Sequence, residues 1–150
     1  MTERSVTHAT FVVERRYPTT PARAFAAWAD PRAKAVWFTG QADPDHAMDF
    51  RVGGREITRG GPPGGAVYSY EATYQDIVPD QRIVYAYAMD MDGRRISASV
   101  TTVEFKAEGD GVRLVLTEQG VYLDGLDQPE ARERGIGFQL DALGGMLTAS

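Results

Sequence analysis

Apolar and polar positions along this chain repeat with two different periods, and the switches between them outline its elements. Residues 7–17, THATFVVERRY, are rich in β-branched and aromatic types and predict a strand. TTPARAFAAW then starts a helix. Thr20 can cap it, and Pro21 suits the first helical position, where its missing N–H costs nothing. Phe25 and Trp28 stand three apart and share one face. Asp30-Pro31 repeats the device and predicts a second short helix that carries Ala33, Val36 and Trp37 inward.

From residue 47 onward the pattern alternates with period two. MDFRV sets Met48, Phe50 and Val52 on one side, and Gly53-Gly54 reads as a two-residue hairpin into REITR. GGPPGG at 60–65 can only be a turn or connection. VYSYEATYQDIV runs to the turn PDQ, and RIVYAYAMD places Ile83, Tyr85, Tyr87 and Met89 on one face. Asp92-Gly93 is a tight hairpin signal into RISASVTTVEFKA. In that strand Ile96, Ala98 and Val100 are in one phase, Val103 and Phe105 in the other, so a β-bulge is expected near Thr101-Thr102. GDG at 109–111 then turns the chain into VRLVLTEQG, with Val112, Leu114 and Leu116 in phase.

The period returns to helical at the end. Ile136, Leu140, Leu143 and Leu147 predict a long helix over about residues 128–149. Gly135, Gly137, Gly144 and Gly145 lie within it, each costing up to about 1 kcal/mol against alanine. Either small residues let the helix approach a sheet or leave room beside a cavity, or the helix breaks after Gly144. The order is thus strand, two short helices, six strands in hairpins, and a long helix. It predicts an α+β fold in which one curved antiparallel sheet of about seven strands is covered by the last helix.

Composition narrows the functions. The 150 residues, 43% hydrophobic and 25% charged, are those of a soluble globular chain. No repeat or linker divides it, so residues 1–150 are expected to form one domain. No apolar run approaches a membrane span, and MTERSVTHATF has no signal-peptide core, so a cytoplasmic location follows by default. A net charge of -5 argues against nucleic acid or anionic membrane as partner, and the absence of cysteine removes thiol catalysis and Cys-based zinc sites.

Several words of the sequence resemble, in order, the START-like (SRPBCC) superfamily. They are YPTTPARAFAAWADP, VGG at 52–54, YEATYQDIVPDQRIVY at 70–85, VTTVEF at 100–105, LVLTEQG at 114–120 and LDALGGML. More narrowly, the chain is similar to the bacterial branch related to the C-terminal domain of the activator of the heat-shock-protein-90 ATPase. The resemblance covers about residues 8–148 and implies a helix-grip fold, with a cavity between the sheet and the last helix. Many superfamily members bind lipids, hormones or polyketides there, and a minority are cyclases or hydrolases. Relatives commonly carry a tryptophan after the glycine that opens the last helix; here Phe138 stands at about that place and is expected to keep a bulky apolar wall. The resemblance implies no cofactor and carries no transferable catalytic residues.

The residues themselves add candidates. Four of the seven tyrosines, Tyr70, Tyr74, Tyr85 and Tyr87, fall on two neighbouring strands; as pocket lining they would offer an apolar wall with hydroxyl donors. Glu118 continues the inward phase of Leu114 and Leu116 and is a candidate polar anchor or general base, whereas Glu104 reads as a solvated sheet residue. Trp28 is expected in the core, with Trp37 and Phe38 at the pocket mouth and Phe50 in its wall. His46 with Asp43 and Asp45 reads as a solvated acidic loop rather than a metal site, and His8 lies too near the terminus for catalysis. Asp90 and Asp92 are a hairpin, because the glutamate a calcium loop needs at its twelfth position is replaced by Thr101.

The sequence therefore points to a small hydrophobic or aromatic molecule held in the cavity by Trp37, Phe38, Phe50, Tyr70, Tyr74, Tyr85, Tyr87, Glu118 and Phe138. A cyclase- or hydrolase-like enzyme using a cavity carboxylate or tyrosine, and a chaperone-associated interaction module, remain the alternatives. Homodimer formation stays open.

Overall fold

The computed structural model describes residues 3–41 and 43–149. Strand β1 (Val6–Tyr17) leads into helices α1 (Pro21–Ala29) and α2 (Pro31–Thr39). Strands β2 (Asp45–Met48), β3 (Arg55–Gly60), β4 (Tyr68–Val78), β5 (Arg82–Met91), β6 (Arg94–Glu108) and β7 (Gly111–Leu123) follow, and α3 (Pro129–Thr148) ends the chain. All seven strands form one sheet in the order β1-β7-β6-β5-β4-β3-β2, every pair antiparallel. One face of the sheet is covered by α3 and the α1–α2 corner, as expected for a helix grip. No helix among the described residues is long and apolar enough to cross a membrane.

Both short helices start as the sequence predicts. Thr20 accepts a hydrogen bond from the Arg23 N–H at 3.2 Å, and Asp30 accepts one from Arg32 at 3.2 Å. Gly40, with φ 68°, ends α2 in the left-handed conformation. The inward face of α2 differs from expectation: Val36 is 53% exposed, while Lys34 is fully buried beside Trp37. Residues 34 and 37 are three apart and so share a face, and the helix turns that face to the core although one of the two is a lysine.

Three strand features also depart from the pattern. Strand β2 stops at Met48, and residues 49–54 make the connection to β3 in place of a two-residue turn, leaving Val52 exposed. Gly53 takes φ 84° and donates its N–H to the Tyr74 carbonyl at 2.8 Å, and a Cβ on Gly54 would lie 2.0 Å from the Asp49 carbonyl oxygen. The bulge lies at the start of β6 rather than at Thr101-Thr102: Met89 pairs with Ser97 and Asp90 with Arg95, so Ile96 is the extra residue. Beyond it the inward row runs unbroken through Ser97, Ser99, Thr101, Val103 and Phe105. Hydropathy misreads the phase here because this row begins with hydroxyls, while Ala98 and Val100 point outward.

Helix α3 is unbroken by its glycines. The Tyr17 hydroxyl donates to the Leu140 carbonyl at 2.8 Å, and a Cβ on Gly144 would lie 3.0 Å from the Tyr17 ring. Gln139 donates to the Phe38 carbonyl at 2.9 Å and ties α3 to α2. Gly145, by contrast, faces open space. Gly145→Ala is therefore expected to raise the unfolding free energy by about 0.5–1 kcal/mol. Gly144→Ala should yield none of that gain, since its methyl group meets a tethered ring. Urea denaturation of the two variants makes the comparison; equal gains would mean that the Tyr17 contact does not set the helix's approach.

Candidate functional site

The inward row of each central strand brings polar groups under the helical layer. Glu56 comes from β3, Tyr70 and Tyr74 from β4, Tyr85 and Tyr87 from β5, Ser97, Ser99 and Thr101 from β6, and Glu118 and Tyr122 from β7. Both carboxylates are 0% exposed. Each must find donors inside the protein, and each is the centre of a cluster.

Glu56 is fully partnered. Its Oε1 accepts from the Lys34 ammonium at 2.6 Å and from the Tyr74 hydroxyl at 2.7 Å, and its Oε2 lies 2.9 Å from His46 Nε2. The Lys34 Nζ sits 4.9 Å from the Trp28 ring centre, 4.7 Å from Phe38 and 5.5 Å from Tyr85, so aromatic faces enclose the cation. Burial alone would raise the Glu56 pKa, but Lys34, with the bonds from His46 and Tyr74, holds it down to about 2. Burial lowers that of Lys34 despite the pull of Glu56. The contact between them, at 2.6 Å, ties α2 to β3.

Glu118 is served differently. Its Oε2 accepts from the Tyr87 hydroxyl at 2.8 Å and its Oε1 from Thr101 at 2.9 Å. The nearest cation, Arg132 in the first turns of α3, stands 3.9 Å away. Arg132 donates to the Tyr87 oxygen at 2.8 Å and to Ser97 at 2.9 Å, and it pairs directly with Asp127. Burial raises the Glu118 pKa against the opposing hydrogen bonds and the pull of Arg132. Beside this cluster the buried hydroxyl of Tyr122 has no partner, nor has that of Tyr70, whose ring packs on Tyr87, and Ser99 Oγ lies beside Glu118 without a well-formed bond. Gly120 leaves Ser99 its place, because a Cβ there would sit 2.6 Å from that oxygen.

The structure brings together most of the residues singled out in the sequence. Tyr70 and Tyr87 lie 4.9 Å apart between ring centres, Tyr85 and Tyr87 6.0 Å, Phe38 and Tyr70 5.1 Å, and Phe50 and Tyr74 5.0 Å. None of these four tyrosines is on the outer face. Two expectations fail. Trp37 is not at a mouth: it is 2% exposed, packs 4.8 Å from Trp28, and donates its indole N–H to the Ala27 carbonyl at 2.9 Å. Phe138 is 75% exposed, because the helical stripe at 136, 140, 143 and 147 leaves it outside. Glu104 lies on the outer face beside Lys106, and His8 is exposed on β1.

His46 turns inward to Glu56 while Asp43 and Asp45 stay in water, and the described residues hold no group of three or more potential metal ligands. Lys34, Glu56 and Arg132 escape sequence reasoning, because no hydropathy pattern marks a charged residue as buried. Hollows on the described surface include two that lie outside the sheet–helix interior. The larger, about 1250 Å³, is on the back of the sheet over Ile57, Ala86, Ala88, Ala98, Val100 and Val121. The smaller lies beside Val12, Arg15 and Phe138.

Removing one member of the Lys34–Glu56 pair leaves a buried charge uncompensated. Lys34→Met is therefore expected to cost roughly 3–5 kcal/mol, and adding Glu56→Gln to it should restore part of the loss. The folded pKa of Glu56, about 2, lies below its ordinary 4.5, so the group contributes stability above about pH 4.5 that is lost as pH falls toward 2. Acid titration of stability should steepen in that window, and Glu56→Gln should flatten it; an unchanged slope would contradict the ionised pair.

With this geometry in place, known proteins give a consistent picture. The sequence pattern of the family described as Activator of Hsp90 ATPase homolog 1-like protein matches residues 18–148. An uncharacterised protein from Rhizobium leguminosarum superposes with a TM-score of 0.92 at 45% identity, over 97% of this chain and 98% of its own. The Mll3558 protein from Rhizobium loti gives 0.90 at 45% identity, over 94% and 98%. CalU16 from Micromonospora echinospora, at 18% identity and a TM-score of 0.69 over 99% and 87%, shares the fold. No curated protein matches the sequence. The chain belongs to the Activator of Hsp90 ATPase homolog 1-like family, within the START-like superfamily.

Proposed function

We propose that the protein binds a small, largely apolar or aromatic molecule between the sheet and α3, at the end of the interior bounded by Phe38, Tyr70, Tyr87 and Glu118. The observation that carries this reading is the pair of buried, unpartnered hydroxyls of Tyr122, beside the fully buried Glu118, and of Tyr70, whose ring packs on Tyr87. A hydroxyl buried without a partner costs about 1–3 kcal/mol, and phenylalanine would fill the same space without that cost. Such a cost is retained where a bound molecule supplies the missing partner.

The half-buried Phe38, packed on Tyr70 at the end of α2, is the part of the wall nearest the surface. Phe50, Tyr74 and Tyr85 stand behind it and shape the wall around Lys34. Trp37 supports the wall without reaching the ligand, and Phe138 takes no part.

Thermal shift against fatty acids, sterols, flavonoids and aromatic polyketides tests the reading. A ligand at about 100 times its Kd adds about 2.7 kcal/mol, or roughly 5–10 °C for a domain of this size. Tyr70→Phe and Tyr122→Phe should each stabilise the free protein by about 1 kcal/mol and shrink the ligand shift. Shifts that persist in full in both variants would place the ligand elsewhere, and the hollow on the back of the sheet would then be the next place to look.

A further inference from the structure

The interior holds two carboxylates built on the same plan but filled differently. Glu56 has a tyrosine hydroxyl, aromatic walls and an ammonium at 2.6 Å, so its charge is balanced one to one. Glu118 also has a tyrosine hydroxyl, from Tyr87, and aromatic neighbours in Tyr85 and Tyr122, but no ammonium. Its nearest cation, Arg132, is 3.9 Å away and is already paired with Asp127. Two carboxylates thus share one guanidinium.

We propose that the interior ligand carries a protonated amine on a flat apolar body and that this amine pairs with Glu118 as Lys34 pairs with Glu56. The inference rests on the reading that a ligand occupies this end of the interior. An ammonium has three donors and no acceptor, and the groups left free here suit it. They are the remaining lone pairs of the Glu118 carboxylate and the unpartnered oxygens of Tyr122 and Ser99. An anionic ligand would meet two carboxylates against one guanidinium. A neutral ligand would leave the excess negative charge buried and unbalanced. The upward shift of the Glu118 pKa, caused by burial, is the behaviour of a carboxylate short of a counter-charge.

Calorimetric titration with three probes of similar shape, 2-phenylethylamine, 2-phenylethanol and 3-phenylpropionate, tests the inference. The amine should bind about tenfold tighter than the alcohol, as one charge-assisted hydrogen bond implies, and the carboxylate should bind weakest. In Glu118→Gln the amine's advantage should fall to within about twofold while the alcohol is unaffected.

A second measurement uses the unaltered protein, should that variant fold poorly. Amine affinity should rise as pH climbs past the ordinary glutamate range and Glu118, whose proton is held longer by burial, loses it, and alcohol affinity should stay flat. The groups facing Glu118 are Tyr85 and Tyr87 from β5, Tyr122 from β7, Arg132 from α3 and, beyond it, Asp127. Burial raises the pKa of each tyrosine, and that of Arg132 is raised by Tyr87 and Asp127 against its burial, so these four keep their protons as Glu118 titrates. An alcohol that binds as well as the amine would overturn the amine assignment and leave the interior site standing. Failure of all three probes to bind would overturn both.

Discussion

Burying a carboxylate is costly unless donors surround it, and this protein buries two in its interior. Much of the interior is arranged around meeting that requirement. Tyr74, Lys34 and His46 converge on Glu56 from β4, α2 and β2, so elements distant in sequence are joined at one side chain. The aromatic rings around Lys34 do two things at once: they exclude water from the pair and offer their faces to the ammonium. The α1–α2 corner is thereby held against the sheet by charge as well as by the packing of Trp28 and Trp37.

The second carboxylate is met less completely, and this asymmetry is where function enters. Tyr87 and Thr101 bond Glu118, Arg132 approaches through the Tyr87 oxygen, and two tyrosine hydroxyls nearby remain unpaired. A core evolved only for stability would replace such groups with apolar ones of the same volume. The saturated cluster is built from α2, β2, β3 and β4 and the unsaturated one from β5, β6, β7 and α3, and this contrast underlies the proposed division between a structural Glu56 and a binding Glu118.

Sheet curvature places both clusters. The extra residue at Ile96 turns the following row of β6 so that Ser97, Ser99 and Thr101 face inward opposite Glu118, and a further irregularity interrupts β4 between Tyr74 and Asp76. Without the first of these, the hydroxyls would face water and Ala98 and Val100 the core. Membership of a family whose closely similar solved structures keep this fold at 45% identity agrees with an architecture set by such backbone features.

The sequence by itself determined the elements and their order, because period and capping are local properties: Thr20, Asp30, Asp92-Gly93 and the 136–147 stripe act over a few residues. It also determined that Tyr70 and Tyr74 share one face of their strand and Tyr85 and Tyr87 one face of theirs, since a strand alternates with period two; that these faces and that of Glu118 coincide was decided by the tertiary structure. Only the tertiary structure decided what those side chains meet. Lys34 is buried because Glu56 waits across the fold, Trp37 is sealed by a carbonyl on the preceding helix, and Phe138 is left outside by the rotation of α3. The misplaced bulge has the same origin. Hydropathy ranks alanine and valine above serine and threonine for the interior, and that ranking fails where a buried carboxylate needs hydroxyl donors more than the core needs methyl groups.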